Sequence, residues 1–254
     1  MPVETVHLNI KGRIATVTLD RPSAGNAIDE PTARQLQEVC GRVAVDDEVR
    51  VVVLTGAGEF FCVGADGPSF EGTGLRALGS LRVANHLSGL DKPVIAALNG
   101  DAVGQGLELA LACDIRVASS EARMGLTQVG DGAMPWDGGT QRLPRLVGRT
   151  RAMEMVLTSR LVDAREALEI GLVNQVVEPD RVLRRSLDVA STIAGQGPIA
   201  ARYLKEAVLK GLDMTLEQGL RLEADLSFLL QSTTDRAEGI QSFLEKRKPE
   251  YKGD

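Results

Sequence analysis

Glu108 stands in the run Gly104-Gln105-Gly106-Leu107-Glu108-Leu109-Ala110-Leu111-Ala112, a single carboxylate among uncharged residues. The run follows the apolar stretch Val94-Ile95-Ala96-Ala97-Leu98 and the turn-forming pair Asn99-Gly100. The expected arrangement is strand, glycine-flanked turn and helix, with Glu108 in the first helical turn. Gly104 and Gly106 let the backbone bend tightly and leave no Cβ to block a ligand. The first amides of such a helix are free to donate, and its dipole favours negative charge nearby. A carboxylate acid/base beside amides that can hold an oxyanion suits chemistry at a carbonyl. The same spacing also fits a buried glutamate held by the helix dipole alone. Both readings stay open at this point.

Other chemistries find less support. His7 falls in an alternating strand pattern and His86 in a helical one, both far along the chain from these glycines, so a Ser-His or Cys-His arrangement is not expected. Cys40, Cys62 and Cys113 are odd in number, widely spaced and set among apolar residues. They read as reduced, buried thiols of a cytoplasmic protein, and no metal-ligand spacing appears. The net charge of −6 gives no basic footprint for nucleic acid, and 43% hydrophobic content supports a substantial core. No apolar run has the length of a membrane span, and the N-terminus lacks the pattern of a signal peptide.

The elements that must position Glu108 alternate along the first half of the chain. Val6–Ile10 and Ile14–Leu19 alternate around Lys11-Gly12-Arg13, which predicts a hairpin. A helix is expected from Asp29-Glu30-Pro31 to Val43, and Leu75 to Leu90 reads as another. Val51–Leu54, Val94–Leu98 and Ile115–Ala118 are short apolar runs, as expected of strands covered on both faces and paired in parallel. From Thr140 onward helices dominate: Arg149–Ser159, Ala164–Ile170, Arg181–Ala194, Ile199–Lys210, Leu216–Leu230 and Thr233–Arg247, with a short strand at Val173–Val177. The stripe Leu216, Leu220, Leu222, Leu226, Leu229 and Leu230 is expected to be core or subunit contact.

Five collinear segments resemble the enoyl-CoA hydratase/isomerase family, the crotonase superfamily. They are Asp20-Arg21-Pro22 with Asn26-Ala27-Ile28; Leu54-Thr55-Gly56 through Phe61-Cys62-Val63-Gly64-Ala65-Asp66; Asn99-Gly100 through Asp114-Ile115; Gly138-Gly139-Thr140-Gln141-Arg142-Leu143-Pro144-Arg145 with Val147-Gly148; and Ala164-Glu166-Ala167 with Gly171-Leu172-Val173-Asn174 and Val176-Val177. The resemblance implies an α/β spiral of ββα turns over 1–195 and a helical trimerisation region over 196–254. It implies an acyl-CoA thioester ligand, no separate cofactor, and self-association as a trimer or dimer of trimers. Its shared chemistry is a thioester enolate held by two backbone amides, which fall here on Ala65 and Gln105. Coenzyme A would lie against Ala24, Ala27, Phe61, Ala65 and Asp66. A basic residue near the C-terminus, Lys246 with Arg247 and Lys248 as alternatives, would meet its phosphates.

The family's hydratases use two glutamates, and the match is incomplete. The first falls on Glu108, whereas the second falls on Gln128, an amide that cannot exchange a proton. Asp137, in Met134-Pro135-Trp136-Asp137-Gly138-Gly139-Thr140, resembles an aspartate that the family's dienoyl-CoA isomerases place before a similar Gly-Thr motif. It is the expected second acid/base, with capping of the helix that follows as its alternative role. Asp131 is a further acid on the same loop. Gln128, Trp136, Gly64 and Phe70 are expected to line the acyl pocket. The expected activity is hydration, or the reverse dehydration, of an unsaturated acyl-CoA, a dienoyl or cyclic enoyl thioester being one candidate. Dienoyl-CoA isomerisation, thioester hydrolysis or dehalogenation through Asp137, and a non-catalytic acyl-CoA-binding role are the competing readings.

Overall fold

The computed structural model describes residues 3–66, 79 and 81–254. A hairpin opens the chain: β1 (Val6–Lys11) pairs antiparallel with β2 (Ile14–Leu19). β3 (Val51–Gly56), β4 (Val94–Leu98), β6 (Ile115–Ser119) and β9 (Gln175–Val177) then add in parallel, giving the order β1-β2-β3-β4-β6-β9.

The unbroken apolar runs have a direct explanation. Successive residues of a strand point to opposite faces, and in β3 and β4 both faces are covered. Val52, Leu54, Val94, Ala96 and Leu98 face the main core, which includes Leu36 and Val39 of α1 (Glu30–Val45). Val51, Val53, Ile95 and Ala97 face a second core closed by Val182, Ala190 and Ala194 of α7 (Val182–Ala194). Asp29 caps α1 by accepting from Thr32 N at 2.8 Å, as its position before Glu30-Pro31 leads one to expect.

Between the strands lie α2 (Ala84–Ser88) and α3 (Gln105–Leu111), both packed into the main core. Of the helix expected from Leu75 to Leu90, α2 shows only Ala84–Ser88; Leu81, Arg82 and Val83 are turn and coil, which corrects that expectation, and the residues before them lie outside the described ones apart from Gly79. A small sheet, β5 (Ala102–Val103), β7 (Arg123–Gly125) and β8 (Val162–Asp163), was not legible in the sequence. Strands of two or three residues are too short to show alternation. α4 (Gly139–Val147), α5 (Arg149–Thr158) and α6 (Ala164–Glu169) complete the core.

Three helices follow: α8 (Pro198–Gly211), α9 (Leu216–Leu230) and α10 (Thr234–Glu245). Asp114 Oδ2 accepts from Val94 N at 2.7 Å and Lys205 Nζ at 2.8 Å, tying α8 to the start of β4. Of the leucine stripe on α9, only Leu226 is buried within one chain, while Leu216, Leu220 and Leu229 are exposed. The three cysteines are buried and unpaired, and burial pushes each thiol up to about 12. No described helix is long and apolar enough to cross a membrane.

Candidate active site

The site begins as two backbone segments laid side by side. Cys62 N donates to Asp101 O at 3.1 Å and Val103 N to Cys62 O at 3.0 Å, so the segment after Phe61 runs along β5. On its other side, Ile28 N donates to Gly64 O at 2.8 Å and Asp66 N to Ile28 O at 2.9 Å. This pairing uses Gly64 O and Asp66 N, and no described residue accepts from Ala65 N. Gln105 N, the first amide of α3, likewise meets no acceptor among the described residues. A Cβ on Gly64 would lie 3.7 Å from Gln105 N, so the Gly64–Ala65 peptide sits against the start of α3.

Two glycines make this approach possible. Gly104 turns the chain into α3 with φ 56° and ψ −124°, a conformation closed to residues with a Cβ. At Gly106 a Cβ would overlap the Cys62 carbonyl oxygen.

One turn into α3, Glu108 is fully buried, at 0% exposure. Its Oε1 accepts from Asp137 N at 2.8 Å and Gly139 N at 2.7 Å. Its Oε2 accepts from Gln128 Nε2 at 3.2 Å. Burial raises the Glu108 carboxyl above the usual glutamate range, with the Asp137 charge adding to it and the backbone amides opposing it. Such a carboxylate is a better base, and once protonated a usable acid near neutral pH. Gly139 is required here because a Cβ would stand 3.0 Å from Oε1 and 2.8 Å from Leu126 Cδ1.

Asp137 occupies the next shell of contacts. Its Oδ2 accepts from Val83 N at 2.9 Å, Ala84 N at 3.1 Å and Gln105 Nε2 at 3.0 Å. The capping role therefore falls on α2. The helix that follows Asp137 in sequence starts instead from Gly138 with no side-chain cap, which corrects the expectation of a local cap. Arg142 Nη1 donates to Asp137 O at 2.9 Å, while its Nη2 bonds Asn85 Oδ1 and Ser88 Oγ, so it clamps this loop to α2. The bonds of Arg142 to Asn85 and Ser88, and of the Gln105 side chain to Leu81 and Asp137, were not legible in the sequence, because these partners lie tens of residues away.

The family model for enoyl-CoA hydratase/isomerase matches residues 9–254. The chain belongs to that family. It is 41% identical over 257 residues to the short-chain-enoyl-CoA hydratase of Clostridium acetobutylicum, covering 98% of each chain. It is 42% identical over 254 residues to the (E)-benzylidenesuccinyl-CoA hydratase of Thauera aromatica, covering 98% of this chain and 99% of that one. A crystal structure of an enoyl-CoA hydratase from Bacillus anthracis matches with TM-score 0.96 and 39% identity, covering 99% of this chain and 100% of the other. This enoyl-CoA hydratase/isomerase is therefore a lyase-type enzyme of the crotonase fold that hydrates an unsaturated acyl-CoA.

In this family member the two segments expected to meet coenzyme A do lie together. Val63 N donates to Gly25 O at 3.0 Å, and Arg21 joins Ala27 O at 2.6 Å to Asp66 Oδ2 at 3.0 Å. Asn26 locks the loop by donating to Ala57 O and Phe60 O and accepting from Arg21 N. The Phe61 side chain is fully buried in the main core. Trp136 is half-buried against that core, Asp131 is exposed, and Phe70 lies outside the described residues. Lys246 is exposed at the end of α10, whereas Arg247 is committed to Glu238 and Glu245.

Glu108 in this enzyme also makes a stability prediction. Its folded-state pKa lies above its unfolded one, so between the two the folded protein binds more protons. Stability therefore falls as pH rises through that window and stays reduced above it. Glutamine at 108 carries no charge at any pH. In thermal melts Glu108→Gln is expected to melt above wild type at neutral pH, the gap closing below about pH 4, where glutamate is ordinarily protonated. A gap independent of pH would refute the buried-charge assignment.

Proposed function

We propose that this hydratase works with Glu108 as its one proton-transferring side chain, the Ala65 and Gln105 amides as the oxyanion hole, and Gln128 as a water-holding amide. The observation that carries it is the Glu108–Gln128 contact. Gln128 Nε2 points at Glu108 Oε2, which leaves Gln128 Oε1 buried without a partner. A water placed between them donates one hydrogen to Glu108 Oε2 and the other to Gln128 Oε1. Its lone pair is then free to attack Cβ.

As the water oxygen bonds to Cβ, Glu108 takes its proton and the π electrons move onto the thioester as an enolate. The two amides stabilise that oxyanion, each donor being worth roughly 3 kcal/mol of barrier when well placed. Glu108 then returns the proton to Cα, which completes the addition of one water. Gln128 cannot supply that proton, and no cofactor beyond the thioester enters these steps.

Asp137 is read as a positioning residue, since Oδ2 is tied to three donors and its own amide holds Glu108. The experiment compares variants in hydration of crotonyl-CoA. Asp137→Asn is expected to keep at least about a tenth of the wild-type rate, against a far larger loss in Glu108→Gln. Equal losses in the two would establish a two-carboxylate pair and a double-bond shift as the better reading.

The helical region from residue 196 is proposed to self-associate as a trimer or dimer of trimers. Leu204, Leu212, Leu216, Phe228, Phe243 and Leu244 are each at least 69% exposed in one chain, far more apolar surface than a free helical face carries. Lys246 is the C-cap residue of α10, just after Phe243 and Leu244, which fits a role in holding CoA phosphate across a subunit boundary.

A further inference from the structure

Arg142 stands in the first turn of α4, where a helix dipole disfavours a cation, and no acidic residue shares that turn. Its side chain serves the loop before the helix. Nη1 donates to Asp137 O at 2.9 Å, and a Cβ on Gly138 would overlap that same nitrogen. Gly138, at φ 108°, thus leaves room for the guanidinium as well as turning the chain. The carbonyl that Arg142 holds belongs to the peptide joining two donors, Asp137 N and Gly139 N. Those amides hold Glu108 Oε1 at 2.8 and 2.7 Å. A fixed carbonyl here fixes the spacing of both.

The other arm of the guanidinium reaches α2. Nη2 donates to Asn85 Oδ1 at 2.9 Å and to Ser88 Oγ at 3.1 Å. Asp137 Oδ2 meets the same helix at its start, accepting from Val83 N and Ala84 N. A helix of five residues has too few internal bonds to hold itself, so these contacts help set its place. Loop and α2 are braced at two points. The charges agree with the bonds. Arg142 is half-buried, and burial works against its charge, while the Asp137 carboxylate and then Glu108 support it. Cys113 also acts on it, and Arg82 repels it. The Asp137 charge beside Glu108 is thereby partly offset by a cation.

We propose that Arg142 is a positioning residue for hydration: its guanidinium pins the loop at Asp137–Gly139 to α2 and so holds the two amides on Glu108. This rests on the reading of Glu108 as the proton-transferring side chain. Three things change together when the guanidinium is removed. A cation that favours the Glu108 carboxylate is gone, the Asp137 charge is no longer offset, and the two amides are held less firmly. Each change favours the protonated carboxyl, so the base form accumulates only at higher pH. A base out of register with the attacking water lowers kcat. KM is largely spared, because the arm that Arg142 extends meets protein on every bond.

The test follows crotonyl-CoA hydration across pH in the full-length wild type, Arg142→Met, Arg142→Lys and Glu108→Gln. In Arg142→Met, kcat is expected to fall about tenfold with KM within about threefold of wild type. Its acid limb of kcat/KM is expected to move to higher pH by at least about half a pH unit. Arg142→Lys keeps a positive charge but replaces the fork with one nitrogen. Its limb is expected to return at least halfway to the wild-type position, with kcat still below wild type. The limb is read within each variant, so a smaller folded fraction cancels; a purely structural role would lower stability and leave the limb in place. The pair Asn85→Ala and Ser88→Ala, on the outer side of α2, removes the bridge and keeps the charge. It is expected to lower kcat at least about threefold. An unmoved or lowered limb in Arg142→Met, a lysine limb no nearer wild type than that of methionine, or an unchanged kcat in the α2 pair would each overturn the proposal. A limb that persists in Glu108→Gln would instead overturn the reading of Glu108, and the proposal with it.

Discussion

Glu108→Gln lowers the rate of enoyl-CoA hydration by about a thousandfold or more, with little change in KM. Glutamine keeps the shape, and its oxygen can still accept from Asp137 N and Gly139 N, which now meet Glu108 Oε1 at 2.8 and 2.7 Å. What is lost is the proton acceptor for the attacking water and, in the next step, the donor to Cα. Residual turnover then rests on the amides and on binding alone. The pH profile gives the same residue a second signature. Burial raises the Glu108 carboxyl, so wild-type kcat/KM climbs as pH rises through a value above the ordinary glutamate range, where the base form accumulates. That limb is absent from the variant. Steady-state rates on crotonyl-CoA across pH check both points, and an unchanged acid limb in the variant would assign it to another group.

Gly106→Ala is expected to cost about a hundredfold in kcat/KM while leaving Glu108 in place. A Cβ at 106 overlaps the Cys62 carbonyl, a backbone atom of the segment that leads into Gly64 and Ala65. A rigid backbone cannot swing aside as a side chain does, so the segment must move away from α3. That displacement separates the Ala65 amide from the Gln105 amide. The loss should fall mainly on kcat, since the oxyanion forms only along the reaction path. The same movement also disturbs the Cys62–Val103 pairing, so a lowered melting temperature is expected alongside the kinetic effect. Gly12, with open space around its missing Cβ but φ 60° in the first hairpin, serves as a comparison: Gly12→Ala should lower stability without touching the rate.

Much of the scaffold was legible without coordinates, and the reasons are local. The hairpin at Gly12, the helix start near Asp29 and the doubly covered strands at Val51 and Val94 follow from residue order over a few positions. The helices from Arg149 onward appeared within a residue or two of their expected ends. Glu108 stood out because a charge is costly inside an apolar helix, and the glycines around it marked a close backbone approach. The five-segment resemblance then carried the family and the chemistry. The small sheet was missed because its strands are only two or three residues long. The burial of the Phe61 side chain was not legible because an aromatic residue beside a loop serves a core or a ligand equally well, and nothing local separates the two.

The division between what residue order carries and what folding adds is clearest at Asp137. As a chain, Trp136-Asp137-Gly138-Gly139 offers a carboxylate at a helix start, fit for capping that helix or for exchanging protons with Glu108. In the folded protein Asp137 caps α2, more than fifty positions earlier, and accepts a hydrogen bond from Gln105 Nε2. Its backbone N–H, and that of Gly139, hold Glu108. Hydrophobic periodicity, turns and caps are set by neighbours in sequence, so they can be read from it. The partners of a buried carboxylate are whichever donors the packing of distant elements brings within hydrogen-bond reach, and those are settled when α2, α3 and the loop before α4 close on one another.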